Sequence, residues 1–196
     1  MVAATAAELS PLHADALGEL GNICGGRAAD ALSRLLGERP VSLALTEARL
    51  PRDQVAERLG GAAASVVGLR VALTGPVDGE LWLVLRQRDA DVLSRLLGAH
   101  HAGAASGALY EAANIVASAC LNALYALTRL TVVPSVPEVT ALSAGELCAR
   151  LGRGVMPESP VVTTELRLRD ENVSGRLLFV PHARCVGPLL LAMGIT

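Results

Sequence analysis

An internal repetition constrains the fold of this chain more than any other feature of its sequence. Glu19 and Asn22 lie three residues apart in a stretch rich in alanine and leucine, and Glu111 and Asn114 repeat the pair. Both members return after 92 positions, from 19 to 111 and from 22 to 114. A chain with such a repeat is most economically built from two similar halves around one core.

The first half shows a clear order of helix and strand signals. Ser10 followed by Pro11 is typical of a helix start, and Gly37 with Pro40 predicts that this helix ends near Leu36. The turn signal Asp78-Gly79 favours a hairpin. The other predicted elements are strands over 41–50, 64–73 and 80–85 and helices over 51–59 and 88–97.

The same order restarts after a small, polar joint over residues 99–107. The predicted elements are a long helix over 108–130, strands over 136–142, 161–168 and 175–180, and a closing helix over 183–193. Residues 147–151 fit neither type clearly. The sequence therefore predicts one domain over 1–196 with half-repeats of about 10–98 and 106–195. Its expected fold is α+β: a mixed or antiparallel sheet with pseudo-two-fold symmetry, on which two long helices pack.

The composition excludes several classes of function. Hydrophobic residues make up 52% of the 196 positions, which predicts a globular core, whereas aromatic residues make up only 2%. Base-stacking modules need clustered aromatic side chains, and the net charge of −2 with scattered arginines shows no footprint for a phosphate backbone. We therefore expect no nucleic-acid partner.

The location and the cysteine chemistry follow from similar arguments. No stretch of 18 or more uncharged apolar residues predicts a membrane span, and residues 1–16 lack the basic and apolar regions of a signal peptide. We therefore expect a cytoplasmic protein without membrane insertion. The four cysteines form no C-x-x-C pattern, so buried free thiols are expected rather than a metal site or disulfides.

Both Glu–Asn pairs fall on the polar faces of the two long predicted helices. At about 100° per residue, side chains three positions apart are neighbours on one helix face. Two polar stripes superpose at the same offset: Asp15, Glu19, Asn22, Gly26, Asp30 and Ser33 in the first helix, and Glu111, Asn114, Ser118, Asn122, Tyr125 and Arg129 in the second. The apolar faces hold Leu17, Leu20, Cys24, Ala28, Ala31 and Leu35, and Leu109, Val116, Cys120, Ala123 and Leu127.

Two interpretations of the pairs remain open from the residues alone. A polar stripe on an amphipathic helix is usually a solvated face, and a duplicated structural helix could inherit it passively. The alternative is a functional pair, for which the sequence shows neither a nucleophile beside a base nor a phosphate-binding loop. An amide can donate to and accept from one water, and a carboxylate can pair with a partner's cation. Such a pair suits the positioning of water at a phosphate on another protein.

The stretches ELGNICGGRAADALSRLLG and EAANIV resemble the CheC-type phosphatases of bacterial chemotaxis, a group that includes CheX and FliY. The family pattern is Asp or Ser, Glu four residues on, Asn three further, and Pro twenty-three beyond. The first half matches with Asp15 but has Leu45 at the proline position. The second half matches with Pro137 but has Gly107 at the Asp/Ser position.

The resemblance implies a phosphatase that hydrolyses the aspartyl phosphate of CheY, the response regulator of this two-component signalling system. It implies catalytic pairs Glu19/Asn22 and Glu111/Asn114, in which Asn positions the attacking water and Glu pairs with a lysine of the receiver domain. Asp15 and Pro137 would support these pairs. The Mg²⁺ would belong to the receiver, so no cofactor or metal site is expected in this chain.

The resemblance also leaves an alternative function and a second partner. The alternative is a non-catalytic adaptor that binds a receiver domain or the receptor deamidase CheD. In this family CheD can bind through the last helix, which would assign the contact to Val186, Leu189, Leu190 and Met193. Because one chain supplies both halves, a monomer is expected.

Overall fold

The computed structural model describes residues 9–48, 50, 52–98, 107–151 and 160–196, with the side chains of 45, 52 and 53 left aside. The predicted joint therefore lies outside the described residues except for Gly107. The first half contains helix α1 (Pro11–Leu35), strand β1 (Val41–Glu47), helix α2 (Arg52–Arg58), strands β2 (Ser65–Thr74) and β3 (Gly79–Arg86), and helix α3 (Gln87–Leu96).

The second half repeats much of this order. It contains helix α4 (Gly107–Thr128), strands β4 (Val133–Pro134) and β5 (Glu138–Ser143), helix α5 (Ala144–Arg150), strands β6 (Val162–Leu168) and β7 (Val173–Pro181) with a 3₁₀ turn between them (Arg169–Glu171), and helix α6 (Ala183–Ala192). The ambiguous residues 147–151 fall mostly in α5. A capping box starts that helix, since the Ser143 hydroxyl accepts from the Glu146 N–H and the Glu146 carboxylate accepts from the Ser143 N–H.

The sheet is antiparallel throughout the described strands. Its order is β1-β6-β7-β3-β2-β4, and β5 pairs with β2 as well. The hairpins β2–β3 and β6–β7 meet through the β3–β7 pair, while β1 joins the hairpin of the second half and β5 that of the first. The α+β prediction is confirmed. The order suits two similar halves, and the internal duplication itself stays a prediction.

Helices cover both faces of the sheet. Alternate residues of β3 face opposite layers, with Leu81, Leu83 and Leu85 in the cluster that holds α1, α3 and α4, and Trp82 and Val84 in the cluster that holds α2 and α5. Leucine, valine and alanine fill both clusters, as the scarcity of aromatic residues predicts. The prediction that Leu127 belongs to the buried apolar face of α4 is wrong, because this side chain is exposed.

Two glycines set the distance between α1 and the sheet. A Cβ at Gly21 would lie 2.7 Å from Val162 Cγ1, and a Cβ at Gly25 would lie 2.6 Å from Thr164 Cγ2. The Thr164 hydroxyl also donates to the carbonyl oxygen of Gly21 at 3.3 Å. The backbone of α1 at Gly21 and Gly25 therefore packs directly on β6. This contact determines which side of α1 faces outward.

Candidate functional site

The first Glu–Asn pair lies on the outer side of α1. Leu17, Leu20 and Gly21 are buried toward the sheet, so Glu19 and Asn22 project into solvent. Within the described part of the chain neither side chain has a hydrogen bond or ion pair. Their polar atoms are therefore available to a partner without breaking an intramolecular bond.

The supporting positions around this pair are unequal. Asp15, one turn before Glu19, is also exposed on α1. Leu45 occupies the position where the family pattern has proline, and its side chain lies outside the described residues. The structure therefore places Asp15 beside the first pair and tests nothing about a contact from position 45.

The second pair lies on α4 beside an open groove of about 440 Å³. Glu111 and Asn114 are exposed, and Pro137 lines the same groove. The full lining is Gly107, Tyr110, Glu111, Asn114, Pro134, Ser135, Val136 and Pro137. The structure thus brings together the pair and the distant proline that the family pattern joins by spacing alone.

Ser135 holds the proline segment in place beside α4. Its backbone N–H donates to the Ala72 carbonyl at 2.8 Å, and its hydroxyl accepts from the Ala72 N–H at 3.0 Å. Both bonds tie the loop between β4 and β5 to strand β2. Because the loop is attached to the sheet, the groove wall is a fixed surface rather than a free chain segment.

Two groove residues were missed in the sequence. Tyr110 is exposed next to Glu111, and Val136 is 81% exposed next to Pro137. Large exposed apolar side chains beside polar functional groups are typical of protein-binding surfaces. The sequence offered two signals for these residues: both are adjacent to motif residues, and aromatic residues such as Tyr110 are rare in this chain.

The two site helices pack against each other through a pair of thiols. Cys24 Sγ donates to the Cys120 carbonyl, and Cys120 Sγ donates to the Cys24 carbonyl, both at 3.6 Å. Burial raises the pKa of the Cys24 thiol to about 12 and raises that of Cys120 as well. Both sulfurs are therefore neutral thiols that serve packing, as the sequence predicted.

The predicted partner surface on the last helix is wrong for three of its four residues. Val186, Leu189 and Leu190 are buried in a cluster with Leu17 and Leu20 of α1. These side chains pack inside the chain, and the outward residues of α6 are Arg184, Gly187, Pro188 and Leu191. Met193 is half-buried against the same cluster.

The described residues contain no group of three or more His, Cys, Asp or Glu side chains that could hold a metal ion. Within the same ranges, none of the helices is both long and apolar enough to cross a membrane. The source of any metal in the reaction therefore stays a prediction.

Comparisons with known proteins identify relatives. A model of the CheC-like family matches residues 12–39. The CheY-P phosphatase CheC of Bacillus subtilis (strain 168) is 32% identical over 200 residues, which cover 92% of this chain and 93% of that protein.

Solved structures share the fold at lower identity. FliY of Thermotoga maritima matches with a TM-score of 0.72 at 22% identity, covering 95% of this chain and 98% of that one. A CheX–CheY–BeF3–Mg complex from Borrelia burgdorferi matches with a TM-score of 0.56 at 14% identity, covering 82% and 96%. The structural matches show the fold, and the identity of 32% over most of both sequences shows that this chain belongs to the CheC-like family.

Proposed function

We propose that this chain is a hydrolase that removes the aspartyl phosphate from a phosphorylated CheY-type response regulator in chemotaxis signalling. The observation that carries the proposal is the exposure of two Glu–Asn pairs whose side chains have no intramolecular partner in the described residues. The CheY-P phosphatase of Bacillus subtilis, at 32% identity, supports the substrate class.

The asparagines act as positioning groups for the attacking water. The amide of Asn22 or Asn114 accepts one hydrogen bond from a water and donates another to it, which fixes the oxygen in line with the phosphorus. The neighbouring glutamate, three residues earlier on the same helix face, pairs with the active-site lysine of the receiver. In this proposal the chain supplies geometry, and the phosphoryl group and its Mg²⁺ belong to the receiver.

The residues around each pair fit a docking surface. The sheet and the Cys24–Cys120 contact hold α1 and α4 side by side, so a receiver meets a preformed helix face. At the second pair Tyr110, Val136 and Pro137 add apolar area to the polar contact. Rigid placement matters because a misplacement of about 1 Å in such a site can cost on the order of 100-fold in rate.

The test is phosphate release from a phosphorylated CheY-type receiver. Replacement of both asparagines, Asn22→Ala with Asn114→Ala, is expected to lower the catalysed rate by on the order of 100-fold while receiver binding persists. Asn122→Ala is a matched control, because Asn122 is an exposed amide on the same stripe of α4. An unchanged rate in the double variant would refute the mechanism.

The same experiment separates the adaptor alternative. If the unaltered chain binds the receiver without accelerating phosphate release, a non-catalytic adaptor is the better description. The burial of Val186, Leu189 and Leu190 removes three of the four residues that this alternative assigned to CheD, so a CheD contact would use Met193 or other residues.

A further inference from the structure

A larger groove, of about 880 Å³, lies on the sheet face opposite α1 and α4. It extends from the end of α2 across β1, β6, β7 and β3, and its volume falls in the range of small-molecule sites. Two glutamates, Glu57 and Glu165, line it together with five arginines: Arg58, Arg86, Arg167, Arg169 and Arg176. This excess of positive charge contrasts with the net charge of −2 of the whole chain.

The register of the sheet places three of these arginines around Ser174 on β7. Arg167 of β6 pairs with Ser174 directly. Arg86 follows the Leu85–Gly175 pair on β3, and its Nη2 donates to the Ser174 hydroxyl at 3.5 Å. Arg176 lies two residues along β7 and thus on the same face. With strands about 4.8 Å apart, the three arginines are neighbours of Ser174 on one face of the sheet, and the Arg86 guanidinium contacts its hydroxyl.

One nitrogen of the Arg176 guanidinium, Nη1, lacks an acceptor in the described residues. The Arg176 side chain is 13% exposed, and its Nη1 is buried. Nε donates to the Arg58 carbonyl at 3.3 Å, and Nη2 lies 3.7 Å from Glu165 Oε2. Burial lowers the pKa of Arg176. The charge of Glu165 partly offsets this effect, and the charge of Arg58 adds to it. Buried polar groups normally have partners, so an anion in the groove would supply the missing acceptor.

Carboxylates of the chain neutralise the groove only in part. Arg58 pairs with Glu47 at 2.6 Å, and Arg86 pairs with Asp89 at 3.0 Å. Glu165 is shared, with its oxygens 3.0 Å from Arg167 and 3.7 Å from Arg176. Arg169 donates to the Ser42 hydroxyl at 3.3 Å and has no acidic partner within the described ranges. The remaining positive charge therefore comes from Arg169 at the rim near Ser42, and from Arg167 and Arg176, which share one carboxylate next to Ser174.

We propose that this groove binds a small molecule that carries phosphate groups, held over Ser174 by Arg86, Arg167 and Arg176. Guanidinium groups donate paired hydrogen bonds that match phosphate oxygens. No aromatic side chain is present in the described lining, so the phosphates rather than a base are recognised. The site is separate from the Glu–Asn pairs and does not depend on the proposed phosphatase activity.

The test is calorimetric titration of the full chain with inorganic diphosphate at low ionic strength. Arg86→Gln and Arg167→Gln are each expected to weaken binding about tenfold, because each removes a charged hydrogen-bond donor. Both arginine side chains are more than half exposed, but Arg86 also pairs with the buried Asp89 at 3.0 Å. Glutamine keeps a donor at that position, and circular dichroism with thermal unfolding would verify that both variants are folded. Arg88→Gln is the matched control, since Arg88 is exposed nearby but outside the groove.

Two further titrations identify which part of the ligand is bound and at which site. The double variant Asn22→Ala, Asn114→Ala is expected to bind diphosphate like the unaltered chain, which separates this groove from the candidate phosphatase sites. Adenosine diphosphate is expected to bind no more tightly than diphosphate. The proposal is overturned by absence of saturable diphosphate binding, by unchanged affinity in both arginine variants, or by much tighter binding of adenosine diphosphate.

Discussion

At the scale of single residues, the partners of a glutamate decide its role. Glu80 is 5% exposed, and its carboxylate accepts from the Trp82 indole N–H at 2.9 Å and from Arg70 Nε at 2.8 Å. Glu19 and Glu111 are exposed and have no such partners in the described residues. The first carboxylate is committed to the fold, whereas the other two are available for recognition. In the sequence, helix periodicity places Glu19 and Glu111 on polar helix faces, but no comparable signal identifies the partners of Glu80 on its strand.

Removal of the buried carboxylate is expected to destabilise the fold. Glu80→Ala leaves the Trp82 N–H without its acceptor and leaves Arg70 with the exposed Glu138 as its remaining carboxylate partner. The free energy of unfolding should fall by about 3 kcal/mol. Urea unfolding followed by fluorescence of the single tryptophan measures the change.

Glu138→Ala is the matched control for this experiment. Glu138 pairs with the same Arg70 at 3.2 Å, but its side chain is 64% exposed. Exposed ion pairs contribute little, so the control should lose no more than about 0.5 kcal/mol. Equal losses in the two variants would contradict the assigned importance of burial.

At the scale of elements, α1 and α4 contact the sheet through different small residues. Gly21 and Gly25 carry the α1 contact, and the residues 92 positions later are Ala113 and Ala117, both buried in α4. Glycine in a helix interior costs about 1 kcal/mol relative to alanine. Close packing of α1 on β6 offsets this cost, so these glycines belong to the packing of the first site helix.

Alanine normally stabilises a helix relative to glycine, but at Gly21 the added methyl group is expected to destabilise the fold. Gly21→Ala should lower the free energy of unfolding by about 1–3 kcal/mol, because the new Cβ would overlap Val162 and Thr46. Thermal unfolding measures the effect.

Gly26→Ala provides the control for the same helix. A Cβ at Gly26 would lie 3.9 Å from Leu43 Cδ1, which is an ordinary contact. The control should therefore gain up to about 1 kcal/mol from helix propensity. A gain in stability for Gly21→Ala would show that α1 does not pack on the sheet as described.

Local signals in the sequence predicted most elements but not all of their faces. The Ser10-Pro11 cap, the Asp78-Gly79 turn and the 3.6-residue periodicity depend on neighbouring residues, and these elements are present in the structure. The last helix is apolar on several sides, so its periodicity could not tell the buried Leu189 and Leu190 from the exposed Leu191. Side-chain burial there depends on contacts with α1 that lie far away in sequence.

The candidate sites showed the same division between local and distant information. The Glu–Asn pairs were visible because each is local to one helix. The groove beside Asn114 and the arginine groove around Ser174 depend on strand pairing, which spacing does not reveal. Charges scattered along the sequence, such as Arg86, Arg167 and Arg176, become neighbours only through the register of β3, β6 and β7.

At the scale of the whole molecule, the two Glu–Asn pairs differ in their surroundings. The second pair is flanked by Gly107 and Pro137 and lines a groove with Tyr110 and Val136 as exposed apolar neighbours, whereas the first is flanked by Asp15 and Leu45. If the proposed function holds, these different flanking residues make the two sites unequal, because apolar area beside the second pair would add to receiver binding there. The arginine groove lies on the opposite side of the sheet, so a receiver at either helix would leave it open.

The single variants measure this inequality. Asn114→Ala is expected to reduce phosphate release from a CheY-type receiver more than Asn22→Ala does. Val136→Ser is expected to raise KM more than it lowers kcat, because it removes apolar docking area without touching the amide. Val133→Ser is the control, since Val133 is exposed on β4 but outside the groove. Equal effects of the two asparagine variants would contradict unequal sites.

The pairing of β1 with β6 also has a consequence for synthesis on the ribosome. In the described sheet β1 is hydrogen-bonded to β6 alone, and residues 41–47 precede their partner residues 162–168 by more than half of the chain. A strand that is synthesised long before its pairing partner exposes unpaired backbone N–H and C=O groups to other nascent chains. Closure of this sheet is therefore a late event, and the first half depends on the second half for protection from aggregation.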